Sequence, residues 1–306
     1  MSRDFSPREF DELERGQDGS DPRPVDRDAN HEMRDTPDLV VRMRPPTPER
    51  PRGDRPREIP FRDGRAVLYD RDRGYRLTGS EIRTIVDLGK FRVIASQNLT
   101  EHAYCNDPES VGRDVKNLVR EGLVQKGIFE GPEAYPRELL TLTKQGHRLL
   151  RRNRLAPEGQ ATHSGFMKPR DANHDADLYL LYQKEAARIE AQGGRNLRVV
   201  LDYELKRRIN REFARFGSEA RQEIAARHGL EVVRHKIPIP DLRIEYETCD
   251  GEMARVNLEL VTEHYRGRHV AEKVHAGFSL YTPRGEADRL RRVLDQRDLT
   301  AEILSL

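Results

Sequence analysis

Between Thr78 and Gly122 the chain marks the ends of three helices, and that punctuation constrains the fold more than any other feature. Thr78-Gly79-Ser80-Glu81 has the S/T-x-x-E spacing, in which a hydroxyl and a carboxylate reciprocally satisfy the open amides of a helix start. Ile82, Ile85, Val86 and Leu88 then form one apolar face. A short second helix is predicted over Ser96–Tyr104, burying Leu99 and Ala103. Asn106-Asp107-Pro108 supplies the next start, because aspartate caps well and proline suits the first helical position. The third helix, Pro108–Glu121, sets Val111, Val115, Leu118 and Val119 at helical spacing, and Gly122 ends it.

The opposite face of that third helix carries Ser110, Arg113, Asp114, Asn117 and Arg120, with Lys116 beside them. Gly127–Pro132 and Glu138–Thr143 read as two strands around a flexible tip, with Lys126 just ahead of the first. A last helix follows Lys144 and is locally basic through Arg148, Arg151, Arg152 and Arg154. Helix, short helix, turn, helix and hairpin in this order predict a winged helix-turn-helix over residues 63–155. Its expected DNA contacts are Ser110, Arg113, Lys116, Asn117, Arg120, Lys126, Arg148, Arg151 and Arg152. Arginine can donate two bonds to guanine or grip phosphate, and asparagine can pair with adenine. A winged helix that docks only protein is the alternative, because fold does not fix function.

Composition decides what lies outside that unit. Hydrophobic residues make up 35% of the 306 and charged residues another 35%, so a core forms only if part of the chain is left out of it. Residues 1–60 hold 10 of the 18 prolines and dense Arg, Asp and Glu. Proline removes amide donors, and such a segment buries too little to offset its ordering entropy, so an arm over 1–62 is expected to be disordered. The net charge of +2 leaves the partner to be identified by local clusters. Cys105 and Cys249 stand in unrelated contexts, with neither a disulfide framework nor metal spacing. No apolar stretch follows Met1 and none approaches bilayer length, so no membrane partner and a cytoplasmic location are expected.

A linker is expected over 156–172 and a second domain over 173–306. Its predicted elements are a helix over His174–Gln192, a strand over Leu197–Leu201 and a long helix over Asp202–His228. Three strands are predicted next, Glu231–Ile237, Leu242–Thr248 and Met253–Thr262, the last two joined by an Asp250-Gly251 turn. A helix over Arg268–Ala276, a strand ending at Thr282, a helix over Glu286–Leu294 and a strand at Ile303-Leu304 complete it. The class is α+β, the second half an α/β domain of restriction-endonuclease-like plan. Asp241, at a strand start, and Glu259, in the next strand, resemble the PD-(D/E)xK core, in which such carboxylates hold Mg²⁺. Val261 stands where that pattern has its lysine. Lys273 on the following helix is the candidate substitute, and Glu204 a candidate third metal ligand.

The helix-turn-helix, Ile239-Pro240-Asp241-Leu242, Asn257-Leu258-Glu259-Leu260, Lys273 and Leu280-Tyr281-Thr282-Pro283 together resemble the replication-relaxation family of mobile-element proteins, over roughly residues 75–295. The resemblance implies binding to plasmid or conjugative-element DNA in support of replication or relaxation of supercoils. The expected activity is therefore non-catalytic binding of double-stranded DNA without a cofactor, with a homodimer and conjugation or replication proteins as further partners. A Mg²⁺-dependent nuclease or nickase using Asp241, Glu259 and Lys273 is the first alternative, and a protein-interaction module the second.

Overall fold

The computed structural model describes residues 64–130, 135–166, 171–262, 265, 267–283, 286–296, 299, 301 and 303–305. The arm over 1–62 and the Gly131-Pro132 tip of the hairpin therefore lie outside the described residues, as do Pro169, Glu263, His264 and Arg266.

Helix α1 (Gly79–Phe91) begins with the capping box its sequence announces: Glu81 N–H donates to Thr78 Oγ1, and Thr78 N–H donates to Glu81 Oε2 at 2.7 Å. Ile82, Ile85, Leu88 and Phe91 are buried along one stripe. A two-residue strand, β3 (Ile94–Ala95), leads into α2 (Ser96–Ala103). Helix α3 (Pro108–Arg120) starts under Asp107, whose carboxylate accepts from the N–H groups of Glu109 and Ser110. Gly122, at φ 72°, reverses the chain into β4 (Val124–Glu130), which pairs antiparallel with β5 (Pro136–Leu142). β5 also pairs with β3, giving the order β3-β5-β4. Helix α4 (Lys144–Arg152) then packs back onto α1.

Ahead of α1, β1 (Ala66–Asp70) and β2 (Arg73–Leu77) form a separate hairpin. It is fastened to α4 by Asp70, which is buried and accepts from Arg148 at 3.3 Å and Arg152 at 3.2 Å.

The second half is a five-stranded sheet in the order β10-β9-β8-β7-β6. β6 (Arg195–Leu201), β7 (Leu242–Glu247) and β8 (Met253–Leu260) run as an antiparallel meander. Helix α8 (Gly267–His275) then returns the chain to β9 (Ser279–Thr282), parallel to β8, with β10 (Ile303–Ser305) beyond it. One face of this sheet packs on α5 (Ala172–Ala191). The same buried cluster runs on into α1, where Phe91 meets Tyr179 edge-on at 5.2 Å. The other face is covered by α6 (Asp202–Phe216) and α7 (Arg221–Arg227) through Val200, Leu205, Ile209, Ile224 and Phe278. Helix α9 (Ala287–Asp295) closes a small cluster around Val261 and Leu280. This is a mixed α+β architecture.

Three expectations are corrected. The long helix over Asp202–His228 is broken at Gly217, whose φ of 77° leaves the helical region, and restarts as α7. Glu231–Ile237 is no strand: Arg234 and His235 take positive φ, and Val233 and Lys236 close a tight turn by a single bridge. Asp114, read as part of a solvent face, is buried and accepts from Ser80 Oγ and from Tyr104 OH at 3.1 Å. The segment expected as a linker is hydrogen bonded to both halves. His163 N–H donates to Gly89 O, and Gln160 bonds Val199 through both its amide N–H and its carbonyl.

Two glycines on neighbouring helices predict opposite outcomes. A Cβ on Gly146 would lie 2.1 Å from Leu123 O, a backbone atom that cannot swing aside. Gly146→Ala should lower unfolding free energy by about 2 kcal/mol or more. Gly112, exposed within α3, has nothing within 4 Å of an added Cβ, so Gly112→Ala should raise it by up to about 1 kcal/mol through helix propensity alone. Urea titration of both variants checks the pair, and equal shifts would contradict the packing described here.

Candidate nucleic-acid interface and buried carboxylate site

Helix α3 presents Arg113, Lys116 and Arg120 to solvent, while Val111, Asp114, Val115 and Leu118 face inward. Both arginine side chains are 74% exposed. Arg113 donates to Ser110 Oγ at 2.8 Å and Arg120 to Asn117 Oδ1, each pair one helical turn apart. Lys116 has no partner among the described residues. With Arg65, Thr78, Ser80, Glu81, Gly112, Asp114 and Asn117, these cations line a cleft of about 630 Å³ between α3 and the start of α1.

The other expected contacts are differently placed. Asn117 is half-buried and donates to Glu81 Oε1 at 2.5 Å. Lys126 is exposed on β4 and paired with Glu138 at 2.9 Å. Arg148 and Arg152 are spent on Asp70, whereas Arg151 is exposed on α4 with no partner among the described residues. Ser110 holds Arg113.

In the second half, the Leu242↔Leu258 pairing of β7 with β8 brings Asp241 and Glu259 together. Asp241 N–H donates to Glu259 Oε2 at 3.2 Å, and Leu260 N–H donates to Asp241 Oδ2 at 3.0 Å. Lys273 reaches over from α8, 2.7 Å from Glu259 Oε1, and also donates to Ile239 O at 2.7 Å. The three residues expected to act together thus converge. Glu204 makes its contacts elsewhere: it receives His163 at 3.2 Å and Leu201 N–H at 3.4 Å, with Arg208 3.7 Å away.

Two participants escaped the sequence. Tyr265 OH donates to Glu259 Oε1 at 2.6 Å, and His174, at the start of α5, lies 3.6 Å from Asp241 Oδ1. His174 is a single histidine distant in the chain from Asp241, so no spacing announces the pair; a polar residue in the first turn of an amphipathic helix was its only signal.

The charges in this site are strongly biased. Burial pushes the Asp241 carboxyl up, but the hydrogen bond and charge of His174, with Lys273 behind them, outweigh it and hold the group below the ordinary range. Burial disfavours charged His174, yet Asp241, Asp175 and Glu259 carry its imidazolium up to about 9. Glu259, with 0% of its side chain exposed, is pushed up to about 7 by burial and by Asp241, against the pull of Lys273 and Tyr265.

Magnesium wants several oxygens turned toward open space. Here one oxygen of Glu259 is taken by Lys273 and Tyr265 and the other by a backbone amide, while those of Asp241 face His174 and the Leu260 amide. Among the described residues, no three His, Cys, Asp or Glu side chains are disposed as a ligand set. As arranged here, both carboxylates are engaged by donors of the chain itself, and no metal-assisted step follows from this arrangement. Cys105 and Cys249 are exposed, free thiols, and no described helix is long and apolar enough to cross a membrane.

No family model, curated protein or solved structure matches the chain.

The His174–Asp241 pair predicts a pH dependence of stability. A histidine raised from 6.5 to about 9 contributes fully below 6.5, and its contribution is lost as pH rises through 9. Glu259 also loses stability with rising pH, but between 4.5 and 7. Between pH 7 and about 9 the fall should therefore belong mainly to His174, with an upper size of about 2 kcal/mol after allowing for solvent screening. Urea titrations across that window should show the fall in the parent and a flatter line in His174→Gln. An unchanged slope in the variant would remove His174 as its source.

Proposed function

We propose that the chain binds double-stranded DNA through α3, the reading helix of a winged helix-turn-helix, and that its second half does not cut it. The observation that carries this reading is the exposed row Arg113, Lys116 and Arg120 on a helix backed by α1 and α2 and followed by the β4–β5 hairpin. Cations on one helix face suit the phosphates and guanine edges of a major groove. The order α1, β3, α2, α3, β4, β5, with β5 central in its sheet, supports the winged-helix reading. The β6-β7-β8 meander, α8 and parallel β9 support a restriction-endonuclease-like plan for the second half. Its acidic pair acts there as a structural pin, because the carboxylates are already matched by donors. The resemblance to replication-relaxation proteins supports plasmid or conjugative-element DNA as the target, with a regulatory or accessory role in replication or mobilisation.

Fluorescence anisotropy on a labelled duplex tests the reading. Three cationic contacts should give a slope of about −2.7 in log K against log salt, and Lys116→Ala should make it shallower by about 0.9. Absence of DNA affinity even at low salt would reassign the helix to protein docking. Supercoiled plasmid should stay intact with Mg²⁺ or Mn²⁺. Nicking that disappears in Asp241→Ala would replace the second half of the proposal with a metal-dependent nuclease.

A further inference from the structure

Asn117 faces the cleft between α1 and α3, and as an asparagine on a reading helix it suggests an adenine contact. Its surroundings argue otherwise. Its amide N–H donates to Glu81 Oε1, and its carbonyl accepts from Arg120 Nη2. Glu81, a carboxylate, only accepts, and a guanidinium only donates, so the amide has a single orientation that satisfies both. An adenine contact would need that same donor and acceptor together. Supplying them would leave buried Glu81 one donor short, a cost borne by a residue that also caps α1.

We infer that Asn117 is a positioning residue that aims Arg120, and that Arg120, not Asn117, supplies base preference by donating to guanine in the major groove. This rests on the proposal that α3 binds DNA. The chain Thr78, Glu81, Asn117, Arg120 runs from a helix cap with a buried carboxylate out to a 74% exposed guanidinium. It fixes one N–H of Arg120 at Nη2, Nε lies 3.9 Å from Glu121 Oε1, and the remaining N–H groups of the fork are left for a ligand. A fork held before binding loses less side-chain freedom on contact. Arg113 is held in the same way by Ser110, three residues before it, as Arg120 is by Asn117. The two forks sit seven residues apart, two turns or about 10.5 Å along α3. That separation suits guanines two or three base-pair steps apart, and duplex DNA with guanines at that spacing is the ligand class the face would select.

The test is a double-mutant cycle on the full chain. A preferred duplex is first selected from a randomised pool; its affinity is then measured at low salt for the parent, Asn117→Ala, Arg120→Ala and the double variant. Arg120→Ala should cost about tenfold or more on that duplex, and Asn117→Ala about fivefold. The double variant should match Arg120→Ala alone, because Asn117 acts only through it. Replacing only the guanine whose preference Arg120→Ala loses with 7-deazaguanine should weaken the parent and leave Arg120→Ala unmoved. Additive losses, or a base preference that Asn117→Ala relaxes even without Arg120, would overturn the inference and make Asn117 a reader. A parent that binds no DNA would overturn the DNA-binding proposal and this inference with it. Thermal unfolding is followed for each variant. Should Asn117→Ala unfold because Glu81 is left unmatched, the same cycle is run in a Glu81→Gln background, which leaves no bare charge.

Discussion

A carboxylate taken out of water must be met by donors or by opposite charge, and this fold repeatedly uses that requirement to join segments distant in sequence. Asp70 draws Arg148 and Arg152 of α4 onto the β1–β2 hairpin. Asp114 on α3 receives Ser80 at the start of α1 and Tyr104 just beyond α2, so one buried group joins α3 to both segments. Glu185 on α5 accepts from Tyr281 of β9 at 2.6 Å. Glu259 takes Lys273 from α8, Tyr265 from the loop before it and the amide of Asp241 ahead of β7. In a chain with as much charge as apolar material, such pins specify which elements meet, where a more apolar chain would rely on shape in its core. Removing a partner leaves a stranded charge, so these contacts set arrangement more firmly than they add net stability.

The parts of the fold legible in the sequence are those whose cause is local. Thr78 with Glu81, and Asp107 with Pro108, form caps within four residues, and the structure places α1 and α3 where they point. Asp250-Gly251 likewise sits in the turn joining β7 and β8. What failed was decided elsewhere in the molecule. Asp114 is polar and so reads as solvent-facing, but its donors come from residues on other elements. Glu231–Ile237 has the residues of a strand, but Val233 and Lys236 bridge each other and the segment folds on itself. The carboxylate site divides on the same line. Asp241 and Glu259 could be named from their resemblance to the PD-(D/E)xK core, with Lys273 as a substitute for its missing lysine, whereas His174 and Tyr265 enter through packing of α5 and of a loop that carries no motif.

These pins also determine which cations remain available at the surface. Of the residues expected to touch DNA, Arg148 and Arg152 are committed to Asp70 and Lys126 to Glu138, while the neutral Asn117 is committed to Glu81. Of that set, the cations left facing solvent are Arg113, Lys116 and Arg120 on α3, with Arg151 on α4. With a net charge of only +2, the whole chain supplies little long-range attraction toward a polyanion. In the proposed reading, DNA is then held by contact, through a few side chains at fixed positions. Under that condition the internal bonds of Ser110 and Asn117 matter. They tie up donors and acceptors that could otherwise meet a base, and in return they hold two guanidinium forks at a set spacing on the exposed face of a single helix.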